Sequence, residues 1–248
     1  MPAVVVDAVE ITYTERGAGR AVLLLHGGAG PVSVTAYADR LAAERPVRVI
    51  TPVHPGFDGT PRPTALTTIG QLAALYAGLL RELDLNDVTV VGNSIGGWIT
   101  AELGLLHPER VAHLVIVDAV GLEVPGHPIV DFFSLPFPEI AELSYHEPEK
   151  YRIDPTALPP AAQAAMAANR KTLAVYATSM TDPTLLGRLS GITTPTTVVW
   201  GSADRIVDPE HGRTYAKAIP GAGFHLLEDT GHLPQIESPD RLTPLLDL

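Results

Sequence analysis

The fold is decided by the stretch VTVVGNSIGGW, residues 88–98. Its first four residues are apolar or β-branched, which predicts a short buried strand. Gly92, Ser94 and Gly96 follow in the pattern G-x-S-x-G, and from Trp98 onward the apolar residues recur at helical spacing. The sequence therefore predicts a strand, a sharp turn and a helix, with the serine at the turn.

A turn of this kind has a chemical use. It holds a serine hydroxyl above the end of the sheet. Gly92 and Gly96 avoid the clashes that a Cβ atom would cause in so tight a turn. The helix directs its first N–H groups, including that of Ile95, toward the place where negative charge would develop on a substrate. The pattern predicts that Ser94 is a nucleophile, and a chance match in an ordinary turn is the alternative interpretation.

Length and composition restrict the class of protein. The chain has 248 residues, enough for one large α/β domain, and 46% of them are hydrophobic. It contains no cysteine, which excludes disulfides, thiolate zinc sites and a cysteine nucleophile. The formal net charge of −11 predicts that neither nucleic acid nor an anionic membrane is a partner. Residues 1–13 lack the pattern of a signal peptide, so a cytoplasmic location is expected.

Buried strands alternate with helices along most of the chain. Apolar runs predict strands at 4–6, 9–13, 21–25, 47–53, 111–117, 197–200 and 224–227, and helical spacing predicts helices at 37–43, 67–83, 161–180, 209–219 and 239–246. Thr67 or Thr68 is the expected N-cap of the second of these helices. Such alternation predicts an α/β fold, with a mostly parallel sheet covered by helices on both faces.

Residues 121–187 interrupt this alternation. Eight of the 23 prolines lie between Pro125 and Pro160, and the same segment holds three of the five phenylalanines. We interpret the segment as an insertion between two βα units. The core is then formed by residues 1–120 and 188–248.

The proposed nucleophile needs two partners. A serine hydroxyl is a weak nucleophile near neutral pH and requires a neighbouring base, which in turn requires an orienting acid. Asp204 follows the strand predicted at 197–200, and His232 follows the last predicted strand, so both lie where such partners belong. Asp118 also ends a strand and is the alternative acid. If Asp204 is the acid, Asp118 is expected to stabilise a turn or cap a helix.

Five motifs together make the chain resemble the α/β-hydrolase superfamily over nearly its whole length. They are HGG at 26–28, PGFDGT at 55–60, GNSIGG at 92–97, GSAD at 201–204 and GHLP at 231–234. The resemblance implies an eight-stranded sheet and a small helical lid formed by residues 121–187. It also implies a catalytic triad of Ser94, His232 and Asp204.

The HGG motif gains a role from this resemblance, because loops of its kind supply the second donor of an oxyanion hole. The implied donors are the N–H of Ile95 and one N–H from Gly28 or Ala29. No cofactor is expected, since neither a P-loop nor a dinucleotide-binding fingerprint is present. No metal is expected either, because the remaining histidines lack metal-ligand spacing.

A serine at position 94 favours acyl transfer. Haloalkane dehalogenases and epoxide hydrolases of the superfamily use aspartate there. The resemblance therefore implies a serine hydrolase that cleaves a small or medium carboxylic ester through an acyl-enzyme. Because Asn93 precedes the serine, the turn also resembles that of meta-cleavage-product hydrolases, and C–C bond hydrolysis of a vinylogous diketone is the alternative. A low-turnover small-molecule receptor is a third hypothesis, from another class.

Four aromatic side chains of the insertion are candidates for the substrate pocket: Phe132, Phe133, Phe137 and Tyr145. They either line an apolar acyl pocket or attach the insertion to the core. Arg170, on the last predicted helix of the insertion, either binds a substrate carboxylate or lies on a solvated helix face.

Overall fold

Eight strands organise the chain, which a computed structural model describes over all 248 residues. The strands are β1 (Ala3–Val6), β2 (Val9–Gly17), β3 (Arg20–Leu25), β4 (Val47–Pro52), β5 (Val88–Asn93), β6 (Val111–Val117), β7 (Thr196–Gly201) and β8 (Gly223–Leu227). They form one sheet in the order β1-β2-β4-β3-β5-β6-β7-β8. β2 pairs antiparallel with β1 and β4, and every other pairing is parallel. The predicted mostly parallel sheet of eight strands is confirmed.

Ten helices complete the architecture. They are α1 (Val32–Glu44), α2 (Ile69–Glu82), α3 (Ile95–Leu105), α4 (Phe137–Ser144), α5 (Pro148–Tyr151), α6 (Pro160–Tyr176), α7 (Leu185–Arg188), α8 (Pro209–Ala218), α9 (Pro234–Glu237) and α10 (Pro239–Leu242). Thr68 is the N-cap of α2: its hydroxyl accepts the N–H of Gln71, whose side chain accepts the N–H of Thr68 in return. None of the helices combines the length and the apolar character needed to cross a bilayer.

The helices cover both faces of the sheet. Along β3, Leu23 and Leu25 belong to the same buried cluster as residues of α2 and α3. Val22 and Leu24 point the other way and belong to the cluster that contains residues of α1. Because both faces of the parallel strands are buried, these strands are continuous apolar runs in the sequence. The predicted packing of helices on both faces is confirmed.

The chain between β6 and β7 forms α4 to α7 and adds no strand to the sheet. Hydrogen bonds attach α6 to the loop that follows β4. The hydroxyls of Thr172 and Tyr176 donate to the carbonyl oxygens of Gly56 and Pro55, both at 2.8 Å. The segment 121–187 is thus a largely helical insertion, while its boundaries and its role as a lid stay predictions.

Three helices differ from their predicted bounds by four residues or more. α6, predicted at 161–180, ends at Tyr176. α1 begins at Val32, five residues before the predicted start at 37. Its β-branched first turn has low helix propensity, but Val34 is buried against the sheet and packing outweighs the propensity. The helix predicted at 239–246 ends at Leu242 and continues as a short 3-10 turn. Pro244 lacks the N–H that would extend the α-helical ladder.

Candidate active site

Ser94 lies at the sharp turn between β5 and α3. Its backbone has φ 58° and ψ −118°, a combination that residues with a side chain rarely adopt. The neighbouring glycines are required by close approach. A Cβ atom on Gly92 would lie 2.0 Å from the carbonyl oxygen of Gly96, and one on Gly96 would lie 2.3 Å from that of Leu25. The local geometry is that of the strand, strained turn and helix predicted from the sequence.

The loop of the HGG motif passes beside this turn. A Cβ atom on Gly27 would lie 3.2 Å from the Cβ atom of Ser94. The backbone N–H groups of Gly28, Ala29 and Ile95 make no hydrogen bond within the protein. Ile95 begins α3, so its N–H also lies at the positive end of the helix dipole. These three N–H groups are therefore free to donate hydrogen bonds to an anionic oxygen.

Two buried histidines hold the HGG loop in place. The N–H of His54 donates to Nε2 of His26 at 3.2 Å, so the His26 ring carries its proton on Nδ1. That nitrogen donates to the carbonyl oxygen of Gly27 at 2.7 Å. The second ring is fixed as well, because Nε2 of His54 donates to the carbonyl oxygen of His26 at 2.9 Å and Nδ1 bonds to the hydroxyl of Tyr76.

Both rings of this histidine pair are neutral. Burial lowers the pKa of His54 to about 4. Burial, together with the charge of a protonated His54, lowers the pKa of His26 well below its ordinary value. A neutral pair keeps the donor and acceptor roles described above, so the loop beside Ser94 has one arrangement near neutral pH.

His232 lies on the loop that follows β8, and its imidazole is paired with Asp204. Nδ1 of His232 lies 2.7 Å from Oδ2 of Asp204, and both side chains are buried. The other carboxylate oxygen accepts the backbone N–H groups of Ile206 at 2.8 Å and Val207 at 3.1 Å. Three donors favour the ionised carboxylate. Asp204 therefore accepts a hydrogen bond from Nδ1–H of His232, which leaves Nε2 as the free nitrogen of the ring.

The backbone of the histidine loop is held on both sides. The N–H of His232 donates to the carbonyl oxygen of Ser144 at 2.7 Å. Its carbonyl oxygen accepts Nδ2 of Asn93, the residue before the serine, at 2.9 Å. The carboxylate of Glu237 accepts the N–H of Gly231 at 2.6 Å. These contacts join the loop to the insertion, to the serine turn and to α9.

The sequence does not reveal the roles of Asn93, Ser144 and Glu237, the three residues that contact the histidine loop. The place of Asn93 before Ser94 is a sequence signal, but it indicates the family resemblance and not a contact with the histidine loop. Ser144 acts through its backbone carbonyl, which no side-chain pattern reveals. Glu237 lies five residues after His232, and its role depends on how the α9 turn folds back.

Asp118 lies beside Asp204 and His232 without bonding to the imidazole. It is fully buried, and its Oδ1 accepts the N–H of Gly201, the last residue of β7, at 2.8 Å. The expectation from the sequence is that Asp118 stabilises a turn or caps a helix. The N–H that it accepts lies at the end of β7, where the next turn begins, and it caps no helix. Burial and the neighbouring Asp204 carboxylate raise the pKa of Asp118 well above its ordinary value. The geometry favours Asp204 as the partner of His232.

Ser94 and His232 line one cavity of about 580 Å³ together with Gly28 and Ala29. Sixteen of its 27 lining residues are hydrophobic, so the cavity suits an apolar group. The insertion supplies most of the wall. The wall residues on α6 are Ala162, Ala165, Met166, Asn169, Arg170 and Leu173.

Four of the five predicted pocket residues line this cavity: Phe132, Phe137, Tyr145 and Arg170. Phe133 does not, and this part of the prediction is corrected. Its ring lies edge-on to that of Phe132 and packs against the large buried cluster, so it attaches the insertion to the core. Whether the other four bind substrate stays a prediction.

Arg170 is half-buried at the cavity wall, which excludes the solvated helix face. Its Nη2 donates to the carbonyl oxygens of Phe132, Phe133 and Leu135 at 2.7–2.9 Å. Its guanidinium carbon also lies 5.4 Å from the ring centre of Phe137. All these partners are uncharged, so the cation of Arg170 meets the cavity without a carboxylate counter-ion.

Comparisons with known proteins indicate the kind of chemistry. The profile of a family described as the alpha/beta hydrolase family matches residues 22–245. The 2-hydroxy-6-oxo-2,4-heptadienoate hydrolase of Pseudomonas putida is 30% identical, over 94% of this chain and 90% of its own length. Lipase 1 of Psychrobacter immobilis is 28% identical, over 93% of this chain and 77% of its own length.

A solved structure extends the comparison to the fold. A thermophilic esterase from Thermogutta terrifontis superposes with a TM-score of 0.77 at 26% identity, and the match covers 98% of this chain and 95% of that chain. The similar proteins are thus named for different reactions, and what their names have in common is hydrolysis.

Proposed function

Since the chain belongs to the alpha/beta hydrolase family and is a hydrolase, we propose that it cleaves a small or medium carboxylic ester by serine catalysis. One observation carries this proposal. The hydrogen-bonded pair of Asp204 and His232 opens on the same cavity as Ser94, whose strained turn is characteristic of a nucleophile.

The first half of the proposed reaction acylates the enzyme. The Ser94 hydroxyl oxygen attacks the ester carbonyl carbon while Nε2 of His232 takes the hydroxyl proton. The tetrahedral oxyanion accepts hydrogen bonds from the N–H of Ile95 and from that of Gly28 or Ala29. The C–O bond to the alcohol then breaks, and His232 returns the proton to the departing alkoxide.

The second half repeats the sequence with water. Nε2 of His232 takes a proton from a water molecule, whose oxygen attacks the acyl carbon on Ser94. The same donors hold the second oxyanion, and its collapse releases the carboxylic acid as Ser94 regains its proton. Asp204 acts throughout by holding the Nδ1–H tautomer and by stabilising the imidazolium ion.

The cavity supports an ester whose acyl or alcohol part is apolar. Its wall is mostly hydrophobic, and its size is in the range of pockets for small ligands. Val32 and Ile153, which are 71% and 61% exposed, also belong to the lining and give the cavity an apolar rim toward solvent. A substrate would enter over this rim with its carbonyl toward Ser94.

Hydrolysis of a C–C bond in an anionic diketone is the second candidate, and Arg170 favours it. A cation without a counter-ion at an apolar wall would bind a substrate carboxylate strongly. The name of the Pseudomonas putida relative specifies such a carboxylate substrate. The same triad would serve if the leaving carbon keeps the electron pair of the broken C–C bond as a carbanion stabilised by the conjugated part of the diketone. That carbon takes the proton held by His232, and the acyl group stays on Ser94 for hydrolysis by water.

Active-site labelling tests the main proposal. A fluorophosphonate probe should label the wild type and the Ser190→Ala control, whose hydroxyl is exposed, and should fail to label Ser94→Ala. A panel of p-nitrophenyl esters of graded chain length should be hydrolysed, with a loss of about 10⁶ in kcat for Ser94→Ala. Labelling that survives Ser94→Ala contradicts the nucleophile. Clean labelling without turnover of any ester favours the second candidate or a low-turnover receptor.

Substituting Arg170 separates the two candidates. Arg170→Met should lower kcat/KM for an ester with a terminal carboxylate much more than for a neutral ester of equal length, and Arg170→Lys should restore part of the loss. Arg213→Met on α8, an exposed arginine away from the cavity, is the matched control. Equal losses on both esters would mean that Arg170 only supports the insertion backbone.

A further inference from the structure

Two buried carboxyl groups lie side by side below the proposed base. Asp118 follows β6 and Asp204 follows the neighbouring strand β7. A carboxylate oxygen of each and a ring nitrogen of His232 all lie within 4.8 Å of one another. Both carboxyl groups are almost completely excluded from solvent, at 0% and 2% exposure. Two carboxylates so close in a buried place do not both stay ionised, so the pair holds a proton.

The hydrogen bonds assign that proton to one partner. Asp204 accepts three hydrogen bonds, two from backbone N–H groups and one from the His232 imidazole. Asp118 accepts only one, from the N–H of Gly201 to Oδ1. Its Oδ2 is buried and has no donor among its neighbours. The negative charge is therefore more stable on Asp204, and the unpaired oxygen of Asp118 is the natural place for the proton.

We propose that Asp118 is a neutral carboxylic acid whose Oδ2–H donates to the Asp204 carboxylate and fixes that carboxylate below His232. Asp118 is then a positioning residue of the proposed ester hydrolysis, because it acts through Asp204 and does not touch the substrate. This inference rests on the proposed function for its kinetic consequence. The protonation of Asp118 itself does not depend on it.

The electrostatic surroundings agree with this assignment. Besides Asp204 and His232, the charged group that faces Asp118 is Glu237, which is also acidic. Burial raises the pKa of Asp118 first, and the negative charges of Asp204 and Glu237 raise it further. A neutral Asp118 keeps the buried pair at a single negative charge. The imidazolium that forms during catalysis thus faces one negative charge, the carboxylate of Asp204. With the Oδ2–H of Asp118, that carboxylate accepts four hydrogen bonds, whereas without it there would be three.

Two substitutions separate this role from a packing role. In Asp118→Asn, the amide oxygen can accept from Gly201 and the amide N–H₂ can donate to Asp204, so both hydrogen bonds survive. In Asp118→Ala, both are lost. We expect Asp118→Ala to lower kcat on an ester by about 30-fold, because a hydrogen bond to a charged group is removed. Asp118→Asn should recover most of that loss and keep the pH dependence of kcat/KM.

Infrared difference spectroscopy gives a readout that needs no turnover. The wild type at neutral pH should show the carbonyl stretch of a buried protonated carboxyl group, and Asp118→Asn should lack it while Asp204→Asn alters it. Thermal unfolding checks that each variant is folded. A wild type without this band overturns the proposal whether or not the protein is an esterase. So does an Asp118→Asn variant that is as impaired as Asp118→Ala on active enzyme, since it would show that an ionised Asp118 is needed.

Failure of the proposed function has a different signature. If no ester is hydrolysed and the fluorophosphonate probe does not label Ser94, the serine hydrolase is contradicted, while the infrared band still decides the state of Asp118. If Ser94 is labelled and esters are hydrolysed, the kinetic ranking of the two Asp118 variants decides whether the shared proton serves the reaction.

Discussion

Asn93 joins the serine turn to the histidine loop, because its Nδ2 donates to the backbone carbonyl of His232 at 2.9 Å across 139 residues of chain. The same side chain accepts Nε2 of Gln235 through its Oδ1 at 3.2 Å. Both partners lie on the segment that follows β8 and carries the proposed base. The residue next to the proposed nucleophile thus connects the serine turn to the loop of the proposed base.

Removing this connection should lower activity without unfolding the protein. We expect Asn93→Ala to lower kcat by about 10-fold, since the loss of one or two buried hydrogen bonds lets the histidine loop move. Asn86→Ala is the matched control, because that asparagine lies on an exposed turn before β5. Steady-state ester hydrolysis measures the effect. Equal kcat values for the two variants would show that the loop does not need this hydrogen bond.

Glu237 should stabilise both the histidine loop and the insertion. Its carboxylate accepts the N–H groups of Gly231, His146 and Glu147. Replacing it by alanine removes all three hydrogen bonds and leaves the N–H of the buried Gly231 without an acceptor, so we expect the free energy of unfolding to fall by about 2 kcal/mol. Glu82→Ala, on the exposed face of α2, should change it little. Chemical denaturation compares the two variants, and a Glu237→Ala protein as stable as Glu82→Ala would contradict the assigned role.

The buried histidine pair predicts acid sensitivity of the HGG loop. His54 has an ordinary pKa of 6.5 in the unfolded chain and about 4 in the folded protein. Between these values the unfolded state binds a proton that the folded state does not, so stability is complete above pH 6.5 and falls as the pH falls toward 4. Each neutral buried imidazole contributes a slope of about 1.4 kcal/mol per pH unit in this window.

Unfolding measured from pH 7 to pH 5 tests this slope. His54→Asn should have a shallower dependence than the wild type, because one proton uptake is removed. His225→Asn, which changes an exposed histidine, should keep the wild-type dependence of stability on pH. A His54→Asn protein with the full wild-type slope would mean that His54 is not the neutral buried group described here.

The elements of the fold with continuous apolar runs were predictable from sequence, since burial on both faces leaves a clear pattern. The inner strands β3 to β7 follow it. The outer strands β1, β2 and β8 were predicted from shorter apolar runs, and α2, α3, α6 and α8 as separate helices. The strained turn at Ser94 was also predictable, because G-x-S-x-G between a strand and a helix has few other uses. The start of α1, which depends on packing, and the end of α10, which depends on Pro244, were not predictable.

The site was only partly predictable, because several of its contacts use the backbone. The pairing of His232 with Asp204 followed from their places after neighbouring strands. The roles of Ser144 and Glu237 depend on backbone groups that come together only in the folded chain. The orientation of Phe133 could not be inferred either, since adjacent aromatic residues in an irregular segment carry no periodic signal for the inner face.

The wall formed by α6 should set the size of the acyl group. Ala165 lines the cavity, and its neighbour Ala164 is exposed to solvent and does not line it. Ala165→Phe fills part of the apolar space, so kcat/KM should fall for long-chain esters while short-chain esters are hydrolysed nearly as before. Ala164→Phe should leave the chain-length profile of the wild type. A profile that is the same for both variants would place the acyl group elsewhere.

The central claim is that Ser94 carries the acyl group during turnover. The most direct measurement is rapid acid quenching of the enzyme with a p-nitrophenyl ester, followed by intact-mass analysis and peptide mapping. The account predicts that the mass increases by one acyl group, that this group maps to Ser94, and that the Ser94→Ala protein shows no increase. An acyl group on another residue, or ester turnover by Ser94→Ala at the wild-type rate, would contradict it.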